Sequence, residues 1–149
     1  MTTDSPLTSL ALVYDVTPES GGFELSPEIR FDELTALKLI HDQMPIGLWR
    51  ADFETGHLYL SAETYRIYGL EPQDGPANIV ALNRAIHPDD HDMAMSLIET
   101  AARQKCGFQY VLRLEDGKGG YKYVRSVGRY IERADGAGEL SGIFHEIPE

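Results

Sequence analysis

The sequence predicts an α+β domain, an antiparallel sheet with helices gathered on one face. Three observations predict it. Two short alternating segments near residue 50 are joined by a hairpin signature. Three longer ones close the chain, with Gly-rich connections between them. Between the two groups lie segments whose apolar residues recur at helical spacing. Strands, then helices, then strands is the order of an α+β fold. A length of 149 residues suits one domain with a single core.

Residues 1–31 read as an N-terminal arm of uncertain order. Within it "LALVYDV" can make a short strand and "TPESGG" a turn or linker; the proline of "ELSPEIRF" sits badly for a helix. The domain itself spans 32–147. Its first element is a flanking helix over 32–44, "DELTALKLIHDQM", capped by Asp32 and ended by Pro45. Leu34, Leu37, Ile40 and Met44 give that helix an apolar stripe. The stripe needs a partner, either the domain's own sheet or the same helix of a second subunit. "GLWRADF" and "HLYLS" follow as a hairpin around "ETG". "SAETYRIYGL" is a short helix capped by Ser61. "NIVALNRAI" is another, capped by Asn78, with Ile79, Leu82 and Ile86 on one face. A longer helix runs from His87 to about Gln104. "FQYVLRLE", "YKYVRSVGRYIER" and "ELSGIFHEI" are the closing strands, turned by "DGKGG" and "ADGAG".

A net charge of −11 with no Lys/Arg cluster argues against nucleic acid and against anionic membranes as partners. No apolar run spans a bilayer, and "MTTDSPLTSL" lacks the basic region of a secretory signal. One cysteine cannot form an internal disulfide, so a cytoplasmic location is the default.

"HPDDHD" brings two histidines, four residues apart, among three aspartates. A shared metal needs both on one helical face. Pro88 belongs in a first helical turn, which puts His87 at or before the cap and off that face. Asp89, Asp90 and Asp92 then interact with the positive end of the helix dipole. His91 shares a face with Ala94, Met95 and Ile98, where a packed or rim histidine is the ordinary outcome. No metal and no haem is expected at either histidine. Cys106 lies at a helix C-terminus, where the dipole raises a thiol pKa, the wrong direction for a nucleophile. With no Ser-centred elbow and no carboxylate pair, catalysis is not expected.

Strand alternation assigns faces. Phe108, Tyr110, Leu112 and Leu114 point one way; Gln109, Val111 and Arg113 the other. Arg125 and Arg129, with Tyr123 and Val127, mark an outer face, so Val124, Ser126, Gly128 and Tyr130 face inward. Arg50 outward leaves Trp49, Ala51 and Phe53 inward. In the last strand, Gly142 with Phe144 and Ile143 with His145 are equally possible inner pairs. The inner face thus mixes rings with small residues. Either the helices close down on Ala51, Ser126 and Gly128, or a cavity remains, lined by Trp49, Tyr110, Leu112 and Phe144. Ser126 can supply a polar contact there.

"GLWRADFETGHLYLSAETYRIYGLEP", "IHPDDHDMAMSLIETA", "FQYVLRLEDGKGGYKYVRSVGRYI" and "GELSGIFHEI" resemble, in order and spacing, a PAS domain. The similarity is to the bacterial subclass with an HPDD motif and a first-strand Trp, and it covers residues 36–147. The resemblance implies a five-stranded antiparallel sheet of order 2-1-5-4-3 with helices on one face. It implies a small-ligand sensor, a cofactor binder or a dimerisation module in signal transduction. It gives the HPDD run, His87 to Asp90, the job of starting the long helix. The family's Glu and Arg in the third strand are here Gln109 and Val111, so that ion pair is lost. The family's Trp in the fourth strand is here Tyr123. Phe144 holds the position of an inward Gln in flavin-binding relatives. The flavin-linked cysteine motif is missing, so no photoadduct is expected, and no cofactor is expected at all. The resemblance also makes Gly142 and Phe144 inward, completing a ligand pocket of Trp49, Ala51, Tyr110, Leu112, Ser126, Gly128, Gly142 and Phe144.

Two functions follow from this reading. One is a sensor binding a small apolar or mixed ligand in its core. The other is a ligand-free interaction module, a homodimer through Leu34, Leu37, Ile40 and Met44. A signalling partner protein fits either. Because the chain ends just after the last strand, it reads as a stand-alone PAS protein or a sensor segment. Output would then run through the flanking helix, the arm or the outer face of the sheet.

Overall fold

The computed structural model describes residues 11–14, 26–134 and 138–148. The turn expected over 17–22 and the centre of the "ADGAG" turn lie outside the described residues. Six strands and four helices follow in chain order. They are β1 (Ala11–Tyr14), α1 (Glu33–Gln43), β2 (Gly47–Asp52), β3 (Leu58–Leu60), α2 (Ala62–Tyr68), α3 (Ile79–Ala85), α4 (Pro88–Gln104), β4 (Gly107–Glu115), β5 (Tyr121–Glu132) and β6 (Gly138–Glu146).

The strands form one antiparallel sheet, ordered β1-β4-β5-β6-β2-β3. Leaving β1 aside, the five strands of the domain read 2-1-5-4-3, as expected. A five-strand count is one short for the whole sheet. The arm's "ALVY" adds β1 to the β4 edge, with Ala11 opposite Tyr110.

Local chemistry sets each boundary. Asp32 accepts a hydrogen bond from the Thr35 N–H at 2.8 Å and starts α1. Asn78 accepts from Val80 and Ala81 and starts α3. Ser61 precedes α2 but makes no side-chain cap; its hydroxyl instead accepts the Leu48 N–H at 2.8 Å, tying β2 to the helix start. In the hairpin turns Asp52 accepts the Glu54 N–H at 2.8 Å and Asp116 the Lys118 N–H at 2.7 Å.

The core lies between the sheet and α2, α3 and α4. Phe108, Leu112, Leu114, Val124 and Leu140 are fully buried in it. Each such side chain contributes about 1.5–3 kcal/mol over an exposed one. α4 packs on β4 and β5, and α2 on β2 and β6. Phe53 departs from its expected inward place. β2 ends at Asp52, so Phe53 leaves the sheet, is 43% exposed and stacks on Tyr130 with centroids 6.2 Å apart. Val111, expected to face out, is also buried.

Asp52 and Glu139 stand directly opposite across β2 and β6, an unfavourable like-charge pair on its own. Two guanidinium groups offset it. Arg50 lies 3.1 Å from Asp52, and Arg133 lies 3.1 Å from Glu139.

Candidate functional site

A cavity of about 150 Å³ remains between the inner face of the sheet and the three packed helices. That is several times a water molecule's share of liquid, about 30 Å³, in an interior that ordinarily keeps few such voids. The floor is Trp49, Ala51, Tyr110, Ser126 and Phe144. Leu58 and Leu60 of β3 close one side. Tyr68 of α2, Leu82 and Asn83 of α3, and Met95 and Ile98 of α4 form the roof. Ile79 also lines it yet is 44% exposed, which places the mouth at α3.

Five of the eight pocket residues named from sequence thus lie on the lining: Trp49, Ala51, Tyr110, Ser126 and Phe144. Leu112, Gly128 and Gly142 do not. Leu112 is buried within the apolar cluster. The two glycines are inward and adjacent across β5 and β6, but they leave no void. A Cβ on Gly128 would sit 2.6 Å from Cζ2 of Trp49, and one on Gly142 2.8 Å from the same atom. At Gly128 the indole fills the space that the missing side chain leaves, and its N–H donates to the Ile143 carbonyl at 3.3 Å; at Gly142 the β5 backbone, first the Val127 carbonyl, is nearer still. The void lies elsewhere, above Ser126 and Ala51. Of the roof residues, Leu82, Met95 and Ile98 were legible in the apolar stripes of α3 and α4, and Asn83 was not. Tyr68 carried no sequence signal, because it closes α2 just before Gly69 turns the chain in the left-handed region at φ 77°.

Polar groups in the cavity are few and uncharged. The Thr64 hydroxyl donates to the Leu48 carbonyl at 2.9 Å. Ser126 stands opposite Tyr110 in the β4–β5 register. Burial pushes the Tyr110 phenol up, and the Ser126 hydroxyl partly offsets this. Burial pushes the Tyr68 phenol up further, and the neighbouring Tyr110 phenol adds to that; no hydrogen bond acts on it. Tyr68 stacks on Phe144 with centroids 5.2 Å apart and planes within 5°.

The HPDD run has a mechanical role. His87 is the cap of α4, its Nδ1 accepting the Asp89 N–H at 3.0 Å while its ring leans on Tyr121 at 4.7 Å. Asp90 is buried and does more than complement the dipole. One carboxylate oxygen accepts from the Arg113 backbone N–H at 2.8 Å and from Nε at 2.9 Å; the other accepts from a terminal guanidinium nitrogen at 2.7 Å. Burial pushes this carboxyl up, but the hydrogen bonds and charge of Arg113, with His87 nearby, hold it below the usual carboxylate range. His91 is one turn on, half-buried, with Nδ1 3.5 Å from Asp92. Among the described residues no group of three or more His, Cys, Asp or Glu side chains converges as a metal site. No helix among them is long and apolar enough to cross a membrane.

α1 buries none of its residues against the domain. Leu34 is 58%, Leu37 42% and Ile40 50% exposed. Met44 lies just past the helix, in extended backbone, and is half-buried. The domain's own sheet, one of the two partners considered for this stripe, does not cover it.

A family model described as PAS fold matches residues 57–143, more than half of the chain. No curated protein matches in sequence. Among solved structures, an RNA-binding Light-Oxygen-Voltage receptor superposes with a TM-score of 0.60 at 14% identity, over 68% of this chain. This chain spans only 29% of that receptor. The N-terminal domain of a diguanylate cyclase with PAS/PAC sensor from Marinobacter aquaeolei superposes with a TM-score of 0.57 at 16% identity, over 68% of this chain and 94% of its own. A sensory box histidine kinase/response regulator from Burkholderia thailandensis E264 does so with a TM-score of 0.58 at 22% identity, over 74% of this chain and 83% of its own.

Proposed function

The chain belongs to the PAS-fold family, and from that premise we propose that it is a signal-sensing module whose core cavity takes a small molecule. The observation that carries this reading is the cavity itself, about 150 Å³ between sheet and helices with a mouth beside Ile79. Small-molecule sites are concave and mostly apolar with a few polar groups, and this lining has that composition. The structural neighbours named as sensor, kinase and cyclase domains support the same reading. No catalytic step is part of the proposal, and neither is a metal, haem or flavin. Native mass spectrometry of the purified chain tests it. The expected spectrum carries one small non-covalent adduct per subunit, lost when Ala51→Phe fills the cavity. A chain that arrives empty and responds to no member of a small-molecule screen sinks the sensor reading.

A second role is self-association through α1, favoured by the exposed Leu34, Leu37 and Ile40. In this reading the helix of one subunit covers that of another, and the module signals by a change in that contact. The same spectrum reports subunit count.

A further inference from the structure

The cavity also restricts the chemistry of what enters it; this inference rests on the sensor reading above. None of the fifteen lining residues carries a formal charge. A carboxylate or ammonium inside would lose its water and gain no counter-charge, so ionised ligands are strongly disfavoured. The hydrogen-bonding groups are not equally available. Thr64 has given its proton to the Leu48 carbonyl. The Tyr68 and Tyr110 phenols are buried beside one another, stay neutral at physiological pH and keep their O–H protons as donors. They share the lining with Ser126, whose hydroxyl acts on the Tyr110 phenol, with Asn83 of α3, and with the stacked Tyr68–Phe144 pair, the Trp49 indole and aliphatic side chains. A space of roughly 150 Å³ is also one in which a single benzene ring can sit.

We propose that the cavity selects an uncharged molecule of single-ring size bearing one hydrogen-bond acceptor, which the Tyr68 and Tyr110 hydroxyls receive. The apolar walls hold the ring and the two phenols orient its polar end. A hydrocarbon of the same size enters but leaves the phenols unanswered. An acid of the same size is turned away by desolvation.

Three probes share a ring and differ only in the substituent: acetophenone, toluene and benzoate. Trp49 is the only tryptophan in the chain and lines the cavity, so its indole N–H resonance reports binding to the full chain. Acetophenone is expected to bind about 3- to 10-fold tighter than toluene, the worth of one neutral hydrogen bond. It is expected to bind at least roughly 10-fold tighter than benzoate at neutral pH, because only benzoate must shed a charge. Tyr68→Phe with Tyr110→Phe should erase the advantage over toluene and leave toluene's own affinity unchanged. Should the double variant unfold, Tyr68→Phe alone carries the same comparison. If acetophenone binds no better than toluene, or keeps its advantage without the phenols, the polar assignment fails while the cavity remains a ligand site. If benzoate matches acetophenone, the exclusion of charge fails. If the Trp49 resonance answers none of the three, this inference fails, while the sensor reading is decided separately by the native mass spectrum and the wider screen.

Discussion

A methyl group at position 128 has nowhere to go, because the Trp49 indole already lies 2.6 Å from where it would be built. Overpacking of this kind costs about 1–3 kcal/mol. Gly128→Ala should therefore lower the urea midpoint, and Trp49→Phe in the same chain should recover part of the loss as a favourable coupling. A silent Gly128→Ala, with or without the smaller ring, would show that the indole moves aside freely. Alternation made both glycines legible as inward, but not the indole above them, since a side chain's lateral reach is invisible in a period of two. Asp90 was similarly half-legible. Its place in the first turn of α4 could be read, while its pairing with Arg113, 23 residues on, depends on the fold bringing β4 beside that turn. Replacing Asp90 by Asn removes a buried charge partner of Arg113 and should cost on the order of 2–3 kcal/mol at neutral pH. The pH dependence has a definite sign. A carboxyl held below its unfolded pKa of about 3.9 adds stability that is fully present above that value and fades as pH falls through the folded pKa. The gap between wild type and Asp90→Asn should thus be constant above about pH 5 and narrow on acidification below about 4. A gap that does not narrow there would mean that Asp90 acts through packing alone.

α1 is an element attached by one end. The Ile46 N–H donates to His41 Nδ1 at 2.9 Å, the same ring's Nε2 lies 3.8 Å from Glu63 of α2, and the helix buries none of its residues. Its apolar stripe was plain in the sequence because a 3.6-residue period shows which face wants cover. What does the covering was not, because periodicity carries no address. If a second copy supplies the cover, Leu37→Glu places a charge in the contact and should give a monomer by light scattering. Its unfolding free energy should stay within about 0.5 kcal/mol of the unmutated subunit, since Leu37 is 42% exposed and no residue of α1 is buried. An unmutated chain that is already monomeric at high concentration ends the dimer proposal. α3 and α4 taught the opposite lesson. Their stripes found cover except at Ile79, and the cavity persists where Ala51 and Ser126 beneath them are too small to meet Leu82, Met95 and Ile98.

At the scale of the whole molecule, the antiparallel sheet and its single helical layer were legible from the order of patterns alone. The strand order 2-1-5-4-3 was not. It came with the family resemblance, because alternation gives each strand a face but not a neighbour. The formal charge of −11 acts at this scale too. Mutual repulsion among surface carboxylates weakens the compact state, and salt screens it over a Debye length of about 10 Å at 0.1 M. The melting temperature should rise between roughly 0.01 and 0.1 M sodium chloride; a fall would mean that attractive ion pairs dominate the surface. The strand that escaped a five-strand count has a further consequence, in time. β1 joins residue 11 to residue 110, among the longest spans in the fold, for four residues of pairing. Closing so long a loop for so small a return makes this pairing late in folding and early in opening. Hydrogen exchange should find the amides of Ala11–Tyr14 trading with solvent well before those of β5, whose two neighbours both pair along its length. The molecule would then live with one edge of its sheet intermittently unlatched, β1 departing and returning many times in the life of a core that stays shut.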